Sequence, residues 1–206
     1  SRSNVNWFKK NAPEYEKLFD DFDAAYYAGD KYMGWKAQET INRNFWDREQ
    51  KANTIRRQDI STLDYIYVPT ELIIGTLHTE AEQTLLSLEG RKMLNLTGLT
   101  NTDLKLKYGV ANLNELTGYE SDYVKMIPAL STYSKELIEA GETDCARKLL
   151  EFAIECGENS DEIYLTLAEQ YKSNGEIEKI EELIHKAEKI TTLGKKGLAD
   201  RIRKFL

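Results

Sequence analysis

The chain has 206 residues, 41% hydrophobic and 31% charged, with 3 prolines, 12 glycines and a formal net charge of −7. That length holds one domain or two small ones, and the scarcity of proline and glycine favours helices. The negative balance disfavours a nucleic-acid binder that works by neutralising phosphates, and no apolar run reaches the roughly 18 residues of a bilayer-spanning helix.

At the start, "SRSNVNWFKK" sets Trp7 and Phe8 among Arg2, Lys9 and Lys10. This mixture resembles the interfacial flank of a membrane segment, although an untethered terminus is the ordinary reading and the one preferred. The next stretch predicts a helix with both ends marked. Asn11 is a cap, Pro13 lies in the first turn, and Gly29 closes it, with Leu18, Phe19, Phe22, Ala25 and Tyr26 forming the apolar stripe. A second helix is expected from about residue 30 to 50, carrying Met33, Ala37, Ile41 and Phe45 every fourth residue. Trp7, Trp35 and Trp46 all precede residue 47. Large aromatics dominate core burial, so the hairpin is expected to bury them.

A polar connector follows, and 1–60 is taken as an aromatic-rich hairpin with that connector. Residues 61–126 form a helical middle region. A short strand is expected over 63–68, ending at Pro69. Ile73, Leu77, Ala81, Leu85 and Leu88 then predict a helix over about 70–89. An alternative break stands at Thr79, where Glu82 three residues later makes a capping box. A short helix from Asn101 ends at Gly109, and another opens at Asn112, with Leu113, Leu116, Tyr119 and Tyr123 inward and an end at Pro128. "Asn95-Leu-Thr97" matches a glycosylation acceptor, which carries meaning only in a secreted chain.

Between 127 and 194 the chain matches itself at an offset of 34. Leu130, Tyr133, Ser134, Leu137, Gly141, Leu149, Leu150 and Ala153 align with Tyr164, Leu167, Ala168, Tyr171, Gly175, Leu183, Ile184 and Ala187. Ala146 aligns with Ile180, a larger residue expected to push the helices slightly apart. Small residues permit close approach and large ones fill the space between. This pattern resembles the tetratricopeptide repeat. The resemblance, which covers about a third of the chain, implies an array of antiparallel helical hairpins forming a solenoid at the C-terminus; with the helical N-terminal region read above, the expected fold is all-α. Two repeats over 127–194 would be followed by a capping helix at 195–206, where Leu198, Ile202 and Phe205 restart the first-helix stripe. The seven Lys and Arg of residues 185–206 then read as the solvated side of that end.

In that family a groove is lined by the first helices. Here the corresponding positions are Ser131, Lys135, Ile138 and Glu139, then Leu165, Glu169, Lys172 and Ser173. The resemblance implies a non-catalytic module for protein–protein interaction or scaffolding, its partner another protein or peptide. Glu169 and Leu165 replace residues expected of a carboxylate clamp, so a helical or extended peptide is the expected ligand. No nucleic acid and no cofactor are expected; a membrane enters only if an upstream segment precedes the chain, and self-association through the aromatic hairpin stays open. The rival reading is an enzyme or ligand-binding domain with a pocket at Trp35, Phe45 or Trp46. Two histidines make catalytic schemes hard to build, and Glu182 with His185 is a lone E-x-x-H, half of a di-iron set. Cys145 and Cys156 lie too far apart along one helix to pair. Unpaired thiols favour a cytoplasmic location, with the soluble domain of a membrane-anchored protein as the alternative.

Overall fold

The computed structural model describes residues 16–29, 31–190 and 197–206. The Trp7–Phe8 flank, the Asn11 cap, Pro13 and the boundary at 191–196 lie outside the described residues, as do the side chains of Leu18, Phe19, Phe22, Tyr26, Met33 and Ala37. The described residues form nine α-helices and no strand. They are α1 (Glu16–Tyr27), α2 (Lys31–Asn53), α3 (Glu80–Ser87), α4 (Asn101–Tyr108), α5 (Leu113–Glu139), α6 (Thr143–Glu155), α7 (Asp161–Ser173), α8 (Ile177–Glu188) and α9 (Leu198–Arg203). The all-helical expectation therefore holds. None of these helices is long and apolar enough to cross a membrane.

The chain divides into two compact units, one of residues 1–63 with 96–116 and the other of 64–95 with 117–206. In the first, α1 and α2 form a hairpin, and α4 lies along α2. Arg48 pairs with Asp103, Lys105 with Glu49, and Thr102 Oγ1 donates to Glu49 at 2.6 Å. Thr100 caps α4 in a full capping box with Asp103. Fully buried Asn112 donates to the carbonyls of Gln58 (2.8 Å) and Tyr108 (2.7 Å) and accepts from Arg57 Nε at 2.9 Å. One amide thus satisfies backbone groups that burial would otherwise leave unpaired.

Two expectations fail in this unit and at its exit. Trp35 and Trp46 are 61% and 63% exposed rather than buried. The inward stripe of α2 carries Ile41 and Ala52, and the indoles project from another side of a helix otherwise crowded with charge. Nor does Pro128 end a helix: α5 runs through it for 27 residues. Proline removes one helical hydrogen bond and crowds the preceding turn. Here Met126, Ala129 and Leu130 are buried on either side, and that packing holds the helix across the break.

In the second unit the expected strand at 63–68 is a single bridge, Ile66 with Met93, sealed by hydrogen bonds of 2.9 and 3.0 Å. The expected continuous helix over 70–89 is also absent. A 3₁₀ turn (Thr70–Leu72) leads into a loop, and α3 begins only at Glu80, so the break at Thr79 is the alternative that holds. Thr79 Oγ1 accepts from the Glu82 N–H at 3.2 Å. The loop has its own organiser, because the Glu82 side chain reaches back to His78 N–H at 2.8 Å. Leu72, Ile73, Ile74 and Leu77 still pack on the core, which is why their spacing imitates a helix.

Residues 34 apart occupy matching environments from α5 to α8. Leu130 and Tyr164, Tyr133 and Leu167, Leu137 and Tyr171, Ala146 and Ile180, Leu150 and Ile184, and Ala153 and Ala187 are all buried. The turns match too. Gly141 and Gly175 have φ of 87° and 71°, and the next N–H closes onto Leu137 O (2.8 Å) in one and Tyr171 O (2.9 Å) in the other. Each is a Schellman motif, in which a residue without Cβ takes the left-handed position at low cost. Leu198 and Ile202 of α9 are fully buried against the same core, with Phe205 half-buried. The cationic side of α9 is not simply solvated: Arg201 pairs with Asp161, and Arg203 with Asp200 and Glu188.

Candidate functional site

The candidate groove residues sit on two helices of the second unit. Ser131, Lys135, Ile138 and Glu139 are on α5; Leu165, Glu169, Lys172 and Ser173 are on α7. Ile138 and Leu165 are half-buried and pack on the same hydrophobic core, leaving part of each side chain at the surface. Lys135, Glu139, Glu169, Lys172 and Ser173 are exposed and Ser131 half-buried.

Two of these residues are brought together by a third that the sequence reading did not single out. Glu162, in the first turn of α7, pairs with Lys135 and receives Ser131 Oγ at 3.3 Å. The Lys135 hydrogen bond holds the Glu162 carboxyl below its ordinary value. The available signal was local: Ser160 caps α7, and Asp161 with Glu162 supplies the acidic first turn that a helix N-terminus favours. Cross-helix pairing over 27 residues has no such local mark.

The remaining positions divide. Ser173 Oγ donates to the Glu169 carbonyl of its own helix at 2.9 Å. Lys172 Nζ lies 6.0 Å from the Phe205 ring centre, so it helps seat the end of the chain. What remains is the half-buried Ile138 on α5 and Leu165 on α7, the Lys135 charge matched by Glu162, and the exposed carboxylates of Glu139 and Glu169. Such a surface can hold apolar side chains and attract cations beside them.

A small cleft between α6, α7 and α8 is of another kind. Tyr171 Oη donates to Glu151 at 2.8 Å, and Lys179 Nζ lies 3.5 Å from the same oxygen and 5.2 Å from the Tyr171 ring centre. Burial first, then the Glu151 bond, raise the phenol above its usual range and keep its proton in place. Nearby, Arg147 Nη1 donates to Glu176 at 2.6 Å. These groups answer one another and hold α6 to α8.

Among the described residues no group of three or more His, Cys, Asp or Glu is placed to hold a metal ion. His185 is exposed, with Nδ1 3.4 Å from Glu188. Both cysteines are free. Cys156 caps the end of α6, and burial pushes its thiol up to about 12. Its carbonyl accepts from Tyr123 Oη at 3.2 Å and from Asn95 Nδ2 at 3.0 Å. That second bond holds the Asn95 amide against the end of α6. Of the three residues named for a pocket in the hairpin, Trp35 and Trp46 are exposed and Phe45 is half-buried.

Comparisons with protein-family models, with curated proteins and with solved structures return no match.

Proposed function

We propose that residues 127–206 act as a tetratricopeptide-like helical module that binds a peptide segment of another protein across α5 and α7, without chemistry of its own. The observation that carries this reading is the correspondence at 34 residues: buried side chains, paired glycine turns and cap geometry recur together from α5 to α8. Stacked helical hairpins present their first helices along one side, and partners commonly dock there. Ile138 and Leu165 suit the apolar side of a short helix or extended segment. Glu139 and Glu169 favour a ligand with Lys or Arg beside its apolar residues.

Selection from a displayed random-peptide library tests the proposal. Peptides with an apolar pair flanked by basic residues are expected, and Leu165→Glu combined with Ile138→Glu should abolish their binding while the helical circular-dichroism signal is kept. Selected peptides that bind this folded double variant as tightly as the parent would reject the face.

A further inference from the structure

Asn174 is the one asparagine of the chain that a glycine follows. It ends α7 with φ −92° and ψ −2°, and Gly175 takes the left-handed position after it at φ 71°. Both residues are exposed, and the Asn174 side chain has no partner among the described residues. A Cβ added at Gly175 would meet nothing within 4 Å, so the site is uncovered. The turn of the preceding hairpin has the same bonds. Gly141 N–H reaches Ile138 O at 3.1 Å and Glu142 N–H reaches Leu137 O at 2.8 Å; Gly175 and Glu176 make the equivalent bonds to Lys172 O and Tyr171 O at 3.0 and 2.9 Å. The residue before the glycine differs, Ala140 in one turn and Asn174 in the other. The fold thus holds one turn twice, and the second copy sets a side-chain amide beside an unhindered backbone nitrogen.

We propose that Asn174 is a site of spontaneous covalent modification, converted mainly to isoaspartate at a pace set by opening of the α7–α8 turn. The Gly175 nitrogen attacks Asn174 Cγ. The new N–Cγ bond closes a five-membered imide, the Cγ–Nδ2 bond breaks, and Nδ2 leaves as ammonia with the proton that the attacking nitrogen gave up. Water then opens the imide and restores the N–H. Cleavage at Cγ yields aspartate; cleavage at the main-chain carbonyl yields isoaspartate, whose backbone is one methylene longer. A side chain on the following residue would crowd this attack, and glycine has none. The closed turn withholds the nitrogen, because its N–H is committed to Lys172 O and the ring requires ψ to rotate from −2°. Exposed turns at helix ends open locally without global unfolding. Once formed, the longer linkage cannot keep both turn bonds in register, and the added carboxylate lies at the negative end of α7. The change is one-way and loosens the α7–α8 hairpin, while the α5–α6 turn, with Ala140, is spared.

Ageing of the whole chain in mildly alkaline oxygen-18 water, followed by trypsin digestion and mass spectrometry, tests this. Cleavage after Lys172 and Lys179 separates Asn174 from Asn159, whose follower is Ser160. The peptide 173–179 is expected to gain one solvent oxygen ahead of every other asparagine-containing peptide and to accept methyl groups from an isoaspartyl methyltransferase. Its conversion should be at least about tenfold faster in urea-unfolded chain, where no turn must open first. The aged protein should melt at a lower temperature, whereas Asn174→Ala, which copies the α5–α6 turn, should fold normally and show no such drift. Conversion of Asn159 or another asparagine ahead of Asn174 overturns the proposal. So does equal conversion in folded and unfolded chain, because the turn would then set no pace, and so does an equal drift of melting in Asn174→Ala.

Discussion

The hydroxyl of Tyr133 donates to Oε1 of Glu82 at 2.8 Å, joining α5 to a carboxylate that is only 1% exposed. The same carboxylate receives backbone N–H groups from His78, Leu77 and Gly75, while Ile74 N–H donates to Tyr133 Oη at 3.0 Å. A loop with no regular structure is thereby fastened to the first of the stacked helices. Thr79 Oγ1 adds a bond of 2.6 Å to Glu136 on the same helix.

This arrangement makes stability depend on pH with a definite sign. Burial alone would raise the Glu82 pKa, but the Tyr133 and backbone hydrogen bonds outweigh it and hold the carboxyl below its ordinary value. A lowered folded-state pKa gives stability that is present above the unfolded value and is lost as pH falls through the folded one. Glu82→Leu should destabilise the chain by about 2–4 kcal/mol at neutral pH, because it strands several buried donors. Urea titrations across acidic pH should show a weaker acid dependence in this variant; parallel curves would remove Glu82 from the account.

At the alkaline end Tyr133 carries the complementary effect. Burial and the Glu82 bond push its phenol up to about 12. The stability it contributes is complete below the ordinary tyrosine value near 10 and falls as pH rises towards 12. In Tyr133→Phe, urea midpoints between these limits should lose part of their slope, and absorbance at 295 nm should show one late-titrating phenol fewer.

The aligned positions Ala146 and Ile180 are both fully buried, and they should respond oppositely to size. Ile180→Ala removes packed volume and should cost about 2–4 kcal/mol. Ala146→Ile adds volume where helices approach closely and should cost about 1–3 kcal/mol. Denaturant midpoints of the two variants check this, and a stabilised Ile180→Ala would mean that isoleucine merely holds the helices apart.

Glycine positions separate backbone cost from steric cost. At Gly175 an added Cβ would meet nothing within 4 Å, so Gly175→Ala should cost only the left-handed backbone penalty of about 1–2 kcal/mol. At Gly109, φ is 84° and the added atom would overlap the Arg56 carbonyl oxygen. Gly109→Ala should therefore lose clearly more stability, and hydrogen exchange should quicken in the segment around Arg56. Equal losses at the two sites would contradict the close approach.

The sequence carried the helices with marked ends and the positions that recur at 34 residues, because those signals are local or periodic. Ala153 and Ala187 are buried where that spacing expects small residues. Other features depended on partners distant in the chain. Ile73 and Leu77 mimicked a helix because both reach the core, although Glu82 holds their backbone in a loop. Pro128 marked a boundary by its own chemistry, and packing around Met126 and Leu130 overrode it. Trp35 and Trp46 were expected inside because large aromatics usually are, yet the phase of α2 turns them outward. The joining of 96–116 to the first unit rests on pairs such as Arg48–Asp103, 55 residues apart. Within the candidate site, the eight positions were those the resemblance implied, whereas the Glu162 bridge between Lys135 and Ser131 carried no mark in the sequence.

The central claim, that a peptide lies across α5 and α7, is tested most directly by amide hydrogen exchange with and without a library-selected peptide. The account predicts slowed exchange concentrated in residues 131–139 and 165–173, with the Glu151–Tyr171–Lys179 cleft unchanged. Protection confined to that cleft or to the α1–α2 hairpin, with α5 and α7 unaffected, would contradict it.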